Sequence, residues 1–267
     1  MTGSKRRARS CGFTRLTSLA VNDAHPRVLF GGMVGLPSTI SVEGFARAGY
    51  DFVVLDLQHG TFGYEFAQNA VQLLDVLGVE SLLRLTIDEL ALGPRLLDFG
   101  ASGIVVASVD DAATVAAALM ATRYQPDGTR SYGQQRKGLK AEPADVSTVQ
   151  PAVWAMIETR SGLENVESIA AVPGLSGLLI GPSDLGLALG LGPSAGPADV
   201  QWSEAIEHIR LAARKYNISA CMVVGDGASA AQWARAGFDR VLIGSDIHLL
   251  ARMGAEIAQA RALIADQ

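Results

Sequence analysis

Eight short apolar, β-branched runs recur along the chain: VLFGGMV (28–34), FVVLDL (52–57), SLLRLT (81–86), GIVVAS (103–108), VWAMIE (153–158), GLLIG (177–181), SACMVV (219–224) and RVLIG (240–244). Segments with helical spacing lie between them, at 41–49, 66–78, 110–123, 164–172, 204–216 and 227–237. Strand-length runs alternating with helices predict βαβ units and a parallel sheet. Several helical segments end at a glycine, Gly49, Gly78 and Gly237, where a left-handed residue costs least. Eight such units over about 250 residues is the count of a (β/α)8 barrel. A doubly wound sheet more often stops at five or six strands, and no G-x-G-x-x-G opens the first helix.

The organisation of the chain predicts one barrel domain over 27–267, preceded by a tail at 1–26. The tail opens MTGSKRRARS, which is basic but is followed by mixed polar sequence and not by an apolar stretch of signal-peptide length. No window approaches the roughly 20 apolar residues of a membrane span. A net charge of −5 argues against a nucleic-acid partner. The two cysteines, Cys11 and Cys221, make neither a disulfide framework nor thiolate-metal spacing, which fits a reducing cytoplasm, and Cys221 reads as a small core residue. The stretch from Tyr124 to Gln150, rich in Pro, Gly and polar residues, is too long for a plain connection. It is expected as a binding element near the barrel mouth or at a subunit contact.

Barrel chemistry sits at the carboxyl ends of the strands. Asp56 closes the second run, with His59 in the loop behind it; Arg84 stands near the end of the third, Glu158 at the end of the fifth, and Asp184 just after the sixth. Singly, each has a structural explanation: Arg84 an ion pair between strand ends, Glu158 a cap for the next helix, Asp184 a residue favoured by a helix dipole. Together they place many charges on apolar strands, which is costly unless they pair, hydrogen-bond or hold a metal. Two carboxylates, Glu158 and Asp184, suit a hard divalent cation with open positions, able to polarise a substrate carbonyl. Arg84 would face the enolate oxygen or a carboxylate, and His59, its basicity raised by a nearby aspartate, is a candidate general acid/base. The lysines are Lys5, Lys137, Lys140 and Lys215, none on a strand run, so imine chemistry is disfavoured.

The segments GYDFVVLDLQHG, LLRLT, LLDFGASGIVV, PDGTRSYG, MIETRSGLENVESIAAVPGLSGLLIGPSDLGLALG and FDRVLIGSD together resemble the HpcH/HpaI family of metal-dependent class II pyruvate aldolases. The resemblance runs from about Gly31 to the last helix, and I-E-T followed by G-P-S-D-L is its most specific part. It implies a barrel of the phosphoenolpyruvate/pyruvate-binding type. It further implies Glu158 and Asp184 as metal ligands and the backbone at Ser183 as the site of the pyruvate carboxylate. His59 takes the role of acid/base and Arg84 that of stabilising the enolate. Asp98 matches a family position that increases the basicity of the histidine, with Asp56 a second acidic neighbour. Two departures stand out: Met156 replaces a glutamine that contacts pyruvate, and His59 is followed by Gly60-Thr61-Phe62 instead of Ala-Pro-Asn.

The implied reaction is reversible cleavage of a 4-hydroxy-2-oxo acid to pyruvate and an aldehyde, with Mg²⁺ or Mn²⁺ and with Co²⁺ also compatible with oxygen ligands. The resemblance implies a homo-oligomer, a hexamer or a trimer, whose C-terminal helix packs on a neighbouring subunit. Phe62, Arg130 and Leu185 to Leu191 are candidates for aldehyde specificity. Three alternatives keep the barrel: a 2-oxo-acid decarboxylase of the macrophomate synthase kind, an acyl-CoA lyase related to citrate lyase β chains, and a non-catalytic barrel that binds a 2-oxo acid. The third predicts loss of one of Glu158, Asp184, Arg84 or His59, and all four are present.

Overall fold

A computed structural model describes residues 27–133, 136 and 150–265; the expected tail, Cys11 and Lys5, Lys137 and Lys140 lie outside them. The expected barrel forms. Strands β1 (Leu29–Val34), β2 (Phe52–Asp56), β3 (Glu80–Leu85), β4 (Gly103–Val106), β5 (Ala152–Ile157), β6 (Gly177–Ile180), β7 (Ser219–Val224) and β8 (Arg240–Ser245) pair in sequence order, and β8 closes on β1. All pairings are parallel.

Around the strands run α1 (Thr39–Ala48), α2 (Tyr64–Leu77), α3 (Leu92–Asp98), α4 (Ala112–Thr122), α5 (Arg160–Glu164), α6 (Val166–Ala170), α7 (Pro182–Ala188), α8 (Val200–Lys215), α9 (Gly227–Arg235) and α10 (Asp246–Ala265). Gly49 and Gly78 end α1 and α2 with φ of 92° and 71°, the left-handed conformation their position anticipated. Two short helices, α5 and α6, stand where one helix was expected over 164–172, and α3 and α7 had no counterpart among the helical segments. Both are seven residues long and lack a sustained helical period, so packing against the sheet decides them.

Each strand is apolar on both faces because both are covered, which explains runs without alternation. One face packs outward under the helices, with Val53, Leu55, Leu83 and Leu85 in one buried cluster with Val42 of α1 and Leu74 of α2. The other fills the barrel with Phe52, Val54, Leu82, Val105, Trp154, Met156, Leu179, Cys221 and Leu242. Two glycines make room for the rings: a Cβ at Gly31 would lie 2.2 Å from Phe52 and one at Gly177 2.3 Å from Trp154. At the strand starts Arg240 bridges to Glu80 at 2.8 and 3.0 Å across the barrel. Its guanidinium lies 5.0 Å from the Phe52 ring centroid and 5.1 Å from that of Trp154. This floor leaves the strand ends as the open side.

The described residues of the long stretch, 124–133, 136 and 150, correct one of its two expected places, the barrel mouth. The stretch joins the end of α4 to β5, so it begins at the strand-start side of the barrel, away from the mouth. Arg130 pairs back to Tyr124 by a bridge, and Arg136 bonds the Phe99 carbonyl and the Asp75 carboxylate near the ends of α3 and α2. No described helix is long and apolar enough to cross a membrane.

Candidate active site

Strand geometry alone aims three of the expected residues into the barrel mouth. Side chains alternate between faces, so Asp56 follows Phe52 and Val54 inward, Arg84 follows Leu82, and Glu158 follows Trp154 and Met156. Asp56 and Arg84 are register partners on adjacent strands. The guanidinium binds the carboxylate through two bonds, Nε to Oδ1 at 2.9 Å and Nη2 to Oδ2 at 2.5 Å, with both side chains buried. A buried fork-to-fork pair has one geometry, so Arg84 is held rigid while Nη1 has no hydrogen-bond partner among the described residues.

Asp56 Oδ1 also accepts from the backbone amides of Gln58 and His59 at 3.2 and 3.1 Å. The chain turns sharply here, and the amide of Gly60 bonds the Asp56 carbonyl at 3.1 Å. A Cβ at position 60 would sit 2.1 Å from that carbonyl oxygen, so glycine must follow the histidine. His59 itself is exposed on the rim. The nearby aspartate expected to act on its ring is instead spent on Arg84 and on backbone amides.

Glu158 is 3% exposed. Its Oε1 accepts from the amide and the hydroxyl of Ser108 at 2.8 and 2.9 Å. Ser108 reaches it because β4 stops at Val106, short of the run expected to 108, and Ser108 turns to a φ of 50°. The other oxygen, Oε2, rests against Gly181, where a Cβ would come within 2.2 Å. Burial pushes the Glu158 carboxyl above its ordinary range, and the charge of Asp184 adds to that; the Ser108 hydrogen bonds and Arg84 pull the other way. The electrostatics therefore tie Glu158, Asp184 and Arg84 into one site. Capping of the following helix, the structural alternative for Glu158, falls to Thr159, whose hydroxyl accepts from Gly162 at 2.9 Å.

Asp184 and Ser183 are exposed in the first turn of α7, which Pro182 opens. Met156 lies beneath, its Cε 2.8 Å from where a Gly181 Cβ would stand. Among the described residues no three His, Cys, Asp or Glu side chains form a closed cage. Two carboxylates, one fixed through a single oxygen with the other turned to a glycine cradle, fit an oxygen-ligated cation whose other positions go to water and substrate.

Two expected residues do not join the site. Asp98 ends α3, which runs back toward the strand starts, and its carboxylate takes Arg130 Nη2 at 2.6 Å. Within the chain it cannot act on His59 from there. Arg130 is buried in the same pair, over the Tyr124 ring at 4.5 Å, so it does not line the mouth as an aldehyde contact. Of the other specificity candidates, Phe62 packs on Phe66 at 4.8 Å, Leu185 is buried, and Leu187 and Leu191 are exposed. Lys215 ends α8 in an ion pair with Glu167 and is not on a strand. A surface hollow beside Arg160, Glu164, Gln201 and His208 lies outside the barrel wall and contains none of the rim residues. Sequence reading missed Ser108 and Gly181; their signal was a small residue at the carboxyl end of the fourth and sixth strand runs.

A family model described as HpcH/HpaI aldolase/citrate lyase matches residues 33–252. The chain is 34% identical over 247 residues to a hydroxypyruvate/pyruvate aldolase of Rhizorhabdus wittichii, covering 91% of this chain and 97% of the relative. It is 31% identical over 240 residues to a 5-keto-4-deoxy-D-glucarate aldolase of Klebsiella pneumoniae subsp. pneumoniae, covering 88% and 92%. Among solved structures, macrophomate synthase superposes with a TM-score of 0.79 at 26% identity, covering 90% of this chain and 86% of that one. With a closed eight-stranded barrel and matches over nearly its whole length, the chain belongs to the HpcH/HpaI aldolase/citrate lyase family of carbon–carbon lyases.

Proposed function

We propose that the protein is a divalent-cation-dependent aldolase that reversibly cleaves a 4-hydroxy-2-oxo acid to pyruvate and an aldehyde. The observation that carries this reading is the buried Glu158 carboxylate at the mouth of the barrel, pinned by Ser108 through one oxygen, with the other turned to Gly181 at the start of the helix that carries Asp184. Glu158 and Asp184 would hold the cation, which when bound supplies Lewis-acid polarisation of the 2-oxo acid. The backbone at Ser183 receives the substrate carboxylate, and Met156 forms the apolar floor. Arg84, fixed by Asp56, directs its remaining N–H groups at the oxygen that gains charge as the bond breaks. His59 takes the proton from the C4 hydroxyl, the C4–O bond becomes a carbonyl, and the C3–C4 electron pair passes into the pyruvate enolate. The proton His59 has taken is returned to C3, which completes pyruvate and leaves the histidine neutral; the same transfer in reverse removes a methyl proton from pyruvate.

The test is deuterium exchange into the methyl group of pyruvate, followed by NMR in D₂O with Mg²⁺ or Mn²⁺ and again with EDTA. Cation-dependent exchange that is lost in Glu158→Ala and reduced in His59→Ala is the expected result; no exchange with any divalent cation would refute the reading. The likeness to macrophomate synthase favours a second reading with the same enolate, release of CO₂ from a 2-oxo diacid, and oxaloacetate consumption without an aldehyde product would mark it. The same proposal includes a homo-oligomer. Leu249, Leu250, Met253, Ile257, Leu263 and Ile264 of α10 are all exposed, a length of apolar helix that a second copy would cover. Sedimentation at a multiple of 28.0 kDa is expected, and a monomer at micromolar concentration would refute it.

A further inference from the structure

We propose that Asp246 is a positioning residue for His59, acting through the turn that follows β1. The inference rests on the assignment of His59 as the acid/base. Asp246, at the junction of β8 and α10, is 5% exposed, yet it faces backbone and not a cation. Its Oδ1 accepts from the amides of Gly35 and Ile247, both at 2.9 Å, and its Oδ2 accepts from Leu36 at 3.2 Å. The carboxylate thus grips two successive amides of the turn after β1 from the far end of the chain.

Gly35 passes the constraint on. Its carbonyl accepts both the amide and the hydroxyl of Thr61, at 2.8 and 3.2 Å. Thr61 is two residues beyond His59, and on the near side the His59 amide is held by Asp56. The histidine loop is therefore anchored at two points, one on β2 and one that leads through residue 35 to Asp246. A Cβ at residue 35 would lie 2.9 Å from Ile247 Cδ1, so the turn runs close beside the residue that follows Asp246. An exposed histidine gains no fixed position from packing, so these anchors set where its ring meets the substrate. A catalytic group displaced by about 1 Å can lose about 100-fold in rate.

A neutral amide at position 246 offers one acceptor where the carboxylate offers two, so Asp246→Asn sets an N–H donor against one of the turn amides. In the pyruvate exchange assay, Asp246→Asn is expected to lower kcat by about 10- to 100-fold. KM for pyruvate and Mn²⁺ affinity, read by electron paramagnetic resonance, should change by less than about twofold, because Asp246 bonds neither carboxylate of the cation site. A general structural defect would move all three. In a His59→Ala background the same substitution should lower the rate by less than about twofold, since residues acting through one another are not additive. Thr61→Val, which removes only the hydroxyl bond to Gly35, should give a smaller kcat loss that Thr61→Ser restores. It carries the test if Asp246→Asn does not fold. Equal losses from Asp246→Asn with and without His59 would overturn the relay. So would a wild-type rate in Asp246→Asn or, should that variant not fold, in Thr61→Val, while His59→Ala is impaired. A wild-type rate in His59→Ala itself would overturn the assignment of the histidine, and with it the relay.

Discussion

Alanine at position 181 should uncouple the cation site without disturbing the barrel. Gly181 has φ −91° and ψ 88°, so the substitution carries no left-handed strain and its effect is steric. The new methyl would stand 2.2 Å from Glu158 Oε2 and 2.8 Å from both Glu158 Cβ and Met156 Cε. The Met156 methyl can swing away. The carboxylate must retreat by about 1 Å to reach ordinary van der Waals distance, which stretches the Ser108 bonds of 2.8 and 2.9 Å beyond hydrogen-bond range. Each bond to a charged acceptor contributes about 1.5–3 kcal/mol, and water at the mouth restores part of that. A net loss of about 2.7 kcal/mol corresponds to a rise of about 100-fold in the Mn²⁺ Kd. Free Mn²⁺ measured by electron paramagnetic resonance reads this directly, with far-UV circular dichroism expected to be unchanged. A Kd within about threefold of wild type would show that the backbone at the start of α7 yields in place of the carboxylate, and would refute the cradle.

Three further outcomes follow from the same geometry. Asp56→Ala leaves Arg84 buried without its partner and should cost about 3–5 kcal/mol in urea denaturation; a loss below about 1 kcal/mol would mean that Arg84 finds another anion or water. Because burial raises the Glu158 carboxyl, the folded state resists its ionisation, so cation-free stability from this group is fully present below the ordinary pKa of 4.5 and is lost as pH rises through the raised value. In EDTA, Glu158→Gln should therefore melt above wild type at pH 7 and converge with it below pH 4.5; a constant difference across that range would contradict the burial argument. Burial pushes the Cys221 thiol up to about 12, so iodoacetamide at pH 8 should label its peptide only in urea, by mass spectrometry, and labelling of the native protein would refute the packed interior.

The elements that were legible before the structure are those governed by local repetition. Each strand run carries its own β-branched, two-face apolar signature, and eight of them separated by helices leave a closed parallel barrel as the natural solution. That solution assigns the end of every run to one rim, so Asp56, Arg84, Glu158 and Asp184 could be grouped from position alone. Helices of five to seven residues were poorly marked, since α5 and α7 have too few turns to show a period.

Pairings outside the strand ladder were not legible. Asp98 and Arg130 read as site residues by motif and by loop, yet both lie at the strand-start side, bound to each other. Asp56 read as a partner of His59, and the register across β2 and β3 gives it to Arg84. By itself, then, the sequence determined the barrel and the rim on which its polar residues gather, because strand and helix periods are written in neighbouring residues. Only the tertiary structure decided which oxygen meets which donor. Ser108 on Glu158, and Asp246 on a turn 211 residues earlier, join chain segments whose proximity exists only after the barrel has closed.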